Sequence, residues 1–200
     1  MSKQLSAQLN PAGFSAAPAA SRQALWLKSA GIVLAGSAFV AICAHLSLPL
    51  YFTPVPLSLA PFAVLVIGLL LRPELAAATL TAYLLEGAAG LPVFAPGPIG
   101  YLHLIGPTGG YLLSYPFAAA LIALLLRRTS RSFTPAALCA ALGSLVILVC
   151  GASWMAILTH AGIMSVFTMA VLPFLPGDAL KVVVAAAIAA GWNRLRRQNA

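Results

Sequence analysis

Acidic residues are almost missing from this chain: three in 200, against eleven lysines and arginines. Charged residues of both signs make up 7% of it and hydrophobic residues 62%, where a soluble domain carries charge on roughly a quarter of its positions. That balance excludes a water-soluble domain and identifies an all-α integral membrane protein. Cysteine is scarce as well. Cys43, Cys139 and Cys150 stand singly in apolar runs. An odd count without CxxC spacing gives neither a disulfide framework nor a zinc site, so all three are expected as small buried hydrophobes. The chain also has no GxSxG elbow, no HExxH pair and no GxxxxGK[ST] loop. Hydrolase, metalloprotease and nucleotide-phosphate chemistry therefore lack their motifs, and no enzyme activity, cofactor or metal is expected.

What is present is a series of long apolar runs. Residues 1–22, rich in Ala, Ser, Gln and Pro, have no apolar periodicity and read as a disordered cytoplasmic tail. Residues 23–200 form one membrane domain. A spanning helix needs about 20 mainly apolar residues, and six segments approach that length: Leu25–Leu48, Leu57–Leu71, Glu74–Ala89, Thr108–Leu126, Pro135–Leu158 and Leu172–Trp192. The second and third are short, which points to a sheltered cavity at one side of the bilayer. The basic residues set the orientation. Lys3 and Arg22 precede the first segment and Lys28 stands in its first turn, Arg72 lies between the second and third, and Arg127, Arg128 and Arg131 between the fourth and fifth. Arg194, Arg196 and Arg197 follow the sixth, and the other three connections contain no Lys or Arg. Both termini are thus expected in the cytoplasm. The net charge of +8 is a topology signal, and nucleic acid is not an expected partner; the lipid bilayer is.

The eleventh basic residue, Lys181, is inside the sixth segment, in LPFLPGDALK (172–181), three residues after Asp178. Ionisable groups within a membrane segment are costly and are by default functional. Pro173, Pro176 and Gly177 interrupt the chain just before Asp178, which predicts that the last helix starts there. Its free N–H groups and the Lys181 ammonium would then suit a carboxylate ligand. Asp178 either balances Lys181 or accepts hydrogen bonds from ligand N–H donors. Glu86 and all three histidines, His45, His103 and His160, fall at the same outer side.

Two outer connections are broken by proline and glycine, LPLYFTPVPLS (48–58) and the stretch from Gly90 to Tyr111. They are expected to be extended and to form a lid on the pocket with Tyr51, Phe52, Phe94 and Tyr101 as aromatic walls. In GPTGGY (106–111), Thr108 is placed to cap the fourth helix, and Gly109 and Gly110 let backbone approach a ligand or a helix. The first helix carries two stripes of small residues, Gly31, Ala35 and Ala38 on one and Ser37, Ala41 and Ala44 on the other, each suited to close helix contact.

PVPLSL (54–59), GLPVF (90–94), GPTGGYLLSYP (106–116) and LPFLPGDALK together resemble the BioY family, over nearly the whole chain. The resemblance implies a six-helix substrate-binding S component of an energy-coupling factor (ECF) transporter. Such a protein captures biotin from the extracytoplasmic side of the bacterial cytoplasmic membrane. Its implied partners are a transmembrane coupling subunit, docked on Gly31, Ala35 and Ala38, and two cytoplasmic ATPases. For biotin, the valerate carboxylate suits Lys181 and the ureido N–H groups suit Asp178, with Thr108, Gly109, Tyr111, Phe94, Glu86 and Tyr51 as further ligand-binding candidates. The chain departs from the family pattern at Ala60, at Pro96–Pro98 and at Glu86, which leaves Glu86 and His103 as candidates for ureido contacts. The alternative reading is a stand-alone secondary transporter, coupled to protons through Glu86 and Asp178.

Overall fold

A computed structural model describes residues 19–51, 53, 55–98 and 100–198. The expected tail lies outside the described residues up to residue 18, and the first helix begins at Ala19. Each of the six apolar segments contains a helix: α1 Ala19–His45, α2 Ala60–Leu70, α3 Pro73–Ala88, α5 Gly109–Arg127, α6 Phe133–Thr159 and α8 Leu175–Gln198. Two short helices that hydropathy does not announce lie in the connections, α4 Leu102–Ile105 and α7 Ile163–Ala170. Strands β1 Ser47–Leu48 and β2 Leu57–Ser58 pair antiparallel with Ser47 opposite Ser58. This ladder claims the start of the second predicted segment, so α2 has only 11 residues.

Proline sets several boundaries. Pro61 and Pro73 occupy the first turns of α2 and α3, where a missing N–H costs nothing because that donor has no partner in the helix anyway. The same reason overturns the predicted start of the last helix. Pro176 is accommodated in the first turn of α8, which begins at Leu175, and the Asp178 N–H already donates to the Phe174 carbonyl at 2.8 Å. In mid-α5, Pro116 supplies no N–H to the Leu112 carbonyl one turn earlier.

Among the described residues four helices are long and apolar enough to cross a membrane: α1 from Gln23, α5, α6 and α8. At 1.5 Å per residue α2 is only about 16 Å long. It survives because it is enclosed: eight of its eleven residues are buried, and α1, α5, α6 and α8 all touch it. The remaining helices follow one another around it, α1 beside α3, α3 beside α5, α5 beside α6 and α6 beside α8. Large apolar side chains such as Leu34, Phe117, Leu145, Ile157 and Leu180 point outward, which in water would be a liability and in lipid is the expected coat. Cys150 belongs to that coat, whereas Cys43 and Cys139 are buried as expected. An apolar-all-round helix such as α6 does not encode in its composition which face is buried.

The arginine-bearing ends gather at one pole. Glu74 at the start of α3 meets Arg127 at the end of α5 at 3.6 Å, and Asn193 of α8 donates to the Arg131 carbonyl before α6 at 3.3 Å. The proline- and glycine-rich connections lie at the other.

Candidate functional site

At that second pole the bundle encloses a cavity of about 590 Å³, its open mouth included. Its walls come from nearly every element. Ala44 ends α1, Ser58 and Ala60 mark the ladder and the start of α2, Tyr83 comes from α3, and Ile147 and Leu148 come from α6. Tyr111, Leu112 and Tyr115 share one face of α5 because residues three and four apart lie on the same side of a helix. His103 of α4 and Thr108 border it on the loop side.

Asp178 and Lys181 both line this cavity and both are buried, at 8% and 7% exposure. The Lys181 ammonium donates to Asp178 Oδ1 at 3.0 Å, and Ser144 Oγ of α6 donates to Oδ2 at 3.1 Å. The pair is closed on itself. It is neutral as a unit, and the ammonium does not run out along its stem to the surface. An ammonium has three N–H donors and each carboxylate oxygen a second lone pair. The unit therefore still offers a donor and an acceptor side by side.

A second polar group is unspent. The Tyr83 hydroxyl is fully buried and has no hydrogen-bond partner among the described residues. An unmet buried polar group costs about 1–3 kcal/mol, so it invites a partner from whatever fills the cavity. The Tyr111 hydroxyl is already used, donating to the Ala170 carbonyl at the end of α7 at 2.6 Å and so fastening α7 over the site.

Of the residues singled out from the sequence, Thr108, Tyr111, Asp178 and Lys181 line this one cavity. Thr108 occupies the N-cap position of α5 without capping it, because its hydroxyl turns back to the His103 carbonyl at 3.4 Å. Four other expected residues lie elsewhere. Tyr51 is fully exposed at the tip of its loop. Phe94 stands behind the wall, edge-on to Tyr83 with ring centres 5.3 Å apart and tilted against His103 at 5.2 Å, so it braces two rings that do line the cavity. Gly109 packs against the Leu104 carbonyl of α4 and Trp154 of α6. Glu86 faces α1 and accepts a hydrogen bond from Ser37 Oγ. On α1, Ser37 and Ala44 are buried, whereas Gly31, Ala35 and Ala38 are exposed, with nothing within 4 Å of a Cβ at Gly31.

Residues 15–198 match the sequence model of the BioY family. The chain belongs to the BioY family. A Pyrococcus horikoshii protein described as a probable biotin transporter BioY is 40% identical over 136 residues, covering 68% of this chain and 79% of its own length. Biotin transporter BioY of Thermotoga maritima is 34% identical over 160 residues, 80% of this chain and 92% of that protein. Among solved structures, the S-component for biotin from an ECF-type ABC transporter superposes with a TM-score of 0.78 at 27% identity, over 86% of this chain and 93% of that one. This BioY chain is accordingly a multi-pass membrane protein and a non-enzymatic transport subunit.

Sequence reasoning missed Tyr83, Tyr115 and Ser144 in this BioY site. The four-residue spacing of Tyr111 and Tyr115 was a usable signal. Nothing local marks Ser144, whose role exists only because α6 turns it toward α8.

Proposed function

We propose that this protein captures biotin on the extracytoplasmic side of the bacterial cytoplasmic membrane as the substrate-specific component of an ECF-type vitamin transporter. In this reading six helices cross or enter the bilayer, both termini are cytoplasmic, and a coupling subunit with two ATPases supplies the energy. The observation that carries it is the neutral Asp178–Lys181 unit, which presents one acceptor and one donor into a cavity walled mainly by aromatic and aliphatic groups, with Ser58, His103 and Thr108 as further polar lining. A cyclic urea has that complement, an N–H beside a C=O. A neutral head also fits a neutral unit better than a second buried carboxylate, which would have no net charge to meet it. The ureido ring therefore binds Asp178 and Lys181, the bicyclic body lies against Tyr111, Leu112 and Phe174, and the valerate tail runs toward the mouth near Thr108 and His103. The names of the Pyrococcus and Thermotoga relatives and of the solved S-component support the same ligand.

Calorimetric titration of the detergent-purified chain tests this directly. Biotin should bind one to one without ATP or partner, and should raise stability by about 2.7 kcal/mol at a hundred times its Kd. Thiamine and riboflavin should give no heat. A folded protein that ignores biotin would sink the reading.

Two further outcomes are expected. Tyr83→Phe should weaken biotin binding roughly two- to tenfold, the worth of one net hydrogen bond, while leaving the ligand-free protein as stable or more stable. A drop in ligand-free stability with unchanged affinity would mean that the hydroxyl serves the fold instead. Ala35→Leu, on the exposed stripe of α1, should leave biotin affinity alone and slow uptake in cells that carry the coupling module. Undiminished uptake would move the docking face elsewhere.

A further inference from the structure

At the arginine-bearing pole, the α5–α6 connection and the last turns of α8 flank a second, open cavity of about 490 Å³, its solvent mouth included. Arg131, Ser130 and Ser132 line it from one side and Asn193, Arg194 and Arg197 from the other. The Asn193 side chain donates to the Arg131 carbonyl at 3.3 Å and holds the two walls in register. The hydroxyls of Ser130 and Ser132 lie 3.2 Å apart. Ser132 is also the N-cap of the 27-residue α6, and its side chain makes no capping bond, so the first N–H groups of α6 have no side-chain acceptor.

Among the described residues no acidic side chain neutralises this place. The chain has three Asp and Glu side chains, and each is engaged elsewhere, Glu74 with Arg127, Glu86 with Ser37 and Asp178 with Lys181. Three guanidinium groups, two hydroxyls and a helix start therefore converge without an acidic side chain among the described residues. Guanidinium forks match phosphate oxygens in geometry as well as charge. The cavity also opens between two helices long enough to span the bilayer, each of which carries exposed apolar side chains further along, Leu138 on α6 and Ile188 on α8. Trp192, exposed beside the cluster with Arg196 stacked 5.3 Å from its ring centre, suits the headgroup level of a membrane.

We infer that this cavity binds the phosphate headgroup of an anionic phospholipid, with the acyl chains laid against α6 and α8. The shared chemistry is a phosphate ester, and the apolar helix surfaces select the lipid over a free phosphate. The site lies at the opposite pole from the biotin cavity, so it stands or falls independently of it.

The test uses the delipidated full chain in a zwitterionic detergent, with native mass spectrometry counting bound lipid and thermal unfolding measuring protection. Phosphatidylglycerol, phosphatidylcholine and glycerol phosphate are the probes. One phosphatidylglycerol should be retained at concentrations where phosphatidylcholine is not, and should protect the fold. At roughly fivefold per arginine, the triple variant Arg131→Gln/Arg194→Gln/Arg197→Gln should bind it about a hundredfold more weakly. A control with the same charge change outside the cavity, Lys28→Gln/Arg72→Gln/Arg128→Gln, should lose less than about a tenth as much. Biotin titration of both variants checks that they are folded. Equal losses in the two variants would reduce the effect to surface charge and overturn the site. Equal protection by glycerol phosphate would overturn the lipid as occupant, and no difference between the two lipids would overturn the proposal altogether.

Discussion

Replacing Lys181 with alanine is expected to lower biotin affinity by about 2–5 kcal/mol, roughly thirty- to several-thousand-fold. The loss should be equally large for biotinamide, which keeps the ureido ring but carries no carboxylate. The ammonium already spends one donor on Asp178 Oδ1, and in the proposed pose the ligand takes another. If Lys181 instead held the valerate carboxylate, biotinamide would have lost that contact from the start and the substitution would cost it little. Four dissociation constants, two proteins by two ligands, decide between these arrangements. Coupling near zero puts the urea at the pair, and coupling of about 2 kcal/mol or more puts the carboxylate there. The single variant should also be less stable, because a buried carboxylate without its partner costs about 3–5 kcal/mol. Asp178→Asn combined with Lys181→Met removes both charges and should recover the stability without recovering the binding. A double variant that still takes up biotin tightly would exclude the pair from recognition.

The second large effect concerns the fold. A Cβ added at Gly110 would overlap the Trp154 Cβ and sit 2.7 Å from the Cys150 carbonyl oxygen, so α5 and α6 touch there at backbone distance. Gly110→Val would force the two helices apart. It would also strain the bond from the Trp154 indole N–H to the Gly106 carbonyl, now 2.9 Å. Overpacking usually costs about 1–3 kcal/mol, and this site belongs at or above the top of that range because no flexible side-chain end is available to yield. Thermal unfolding in detergent should show a large drop. Gly31→Val, where a Cβ meets nothing within 4 Å, should show almost none. Matching melting temperatures would mean that the GPTGGY glycines are not packing positions.

These two residues also mark what can be read from sequence in such a chain. The rarity of charge singled out Asp178 and Lys181, because an ionisable group among apolar residues needs a cause that composition alone exposes. Rarity carries no direction, however. Glu86 is as unusual as Asp178, yet α3 turns it toward α1 rather than into the cavity. The glycine pair was recognisable as a point of close approach, while its partner, α6 rather than a ligand, depended on how two helices cross. Loop aromatics were the least informative, since Tyr51 and Phe94 look alike in the sequence and end up one in solvent and the other in the core. Helices α2, α3, α5 and α6 were legible to within about three residues because runs of apolar residues and first-turn prolines encode them. By contrast, α1 starts six residues before its apolar run, inside the stretch read as a tail, and α8 ends six residues after its own, because their polar, arginine-bearing ends carry no hydropathy signal. α4 and α7, at four and eight residues, are too short for hydropathy to separate from the turns around them.

The closed pair on α8 has one more consequence, and it is electrical. Moving an elementary charge through the full membrane field is worth about 2.3 kcal/mol per 100 mV. A binding centre whose plus and minus signs are 3.0 Å apart presents almost no monopole to that field, and a urea settling on it adds none. On the proposed pose the one charge biotin carries, its valerate carboxylate, stays at the mouth and crosses little of the field, so occupancy is expected to depend only weakly on membrane voltage.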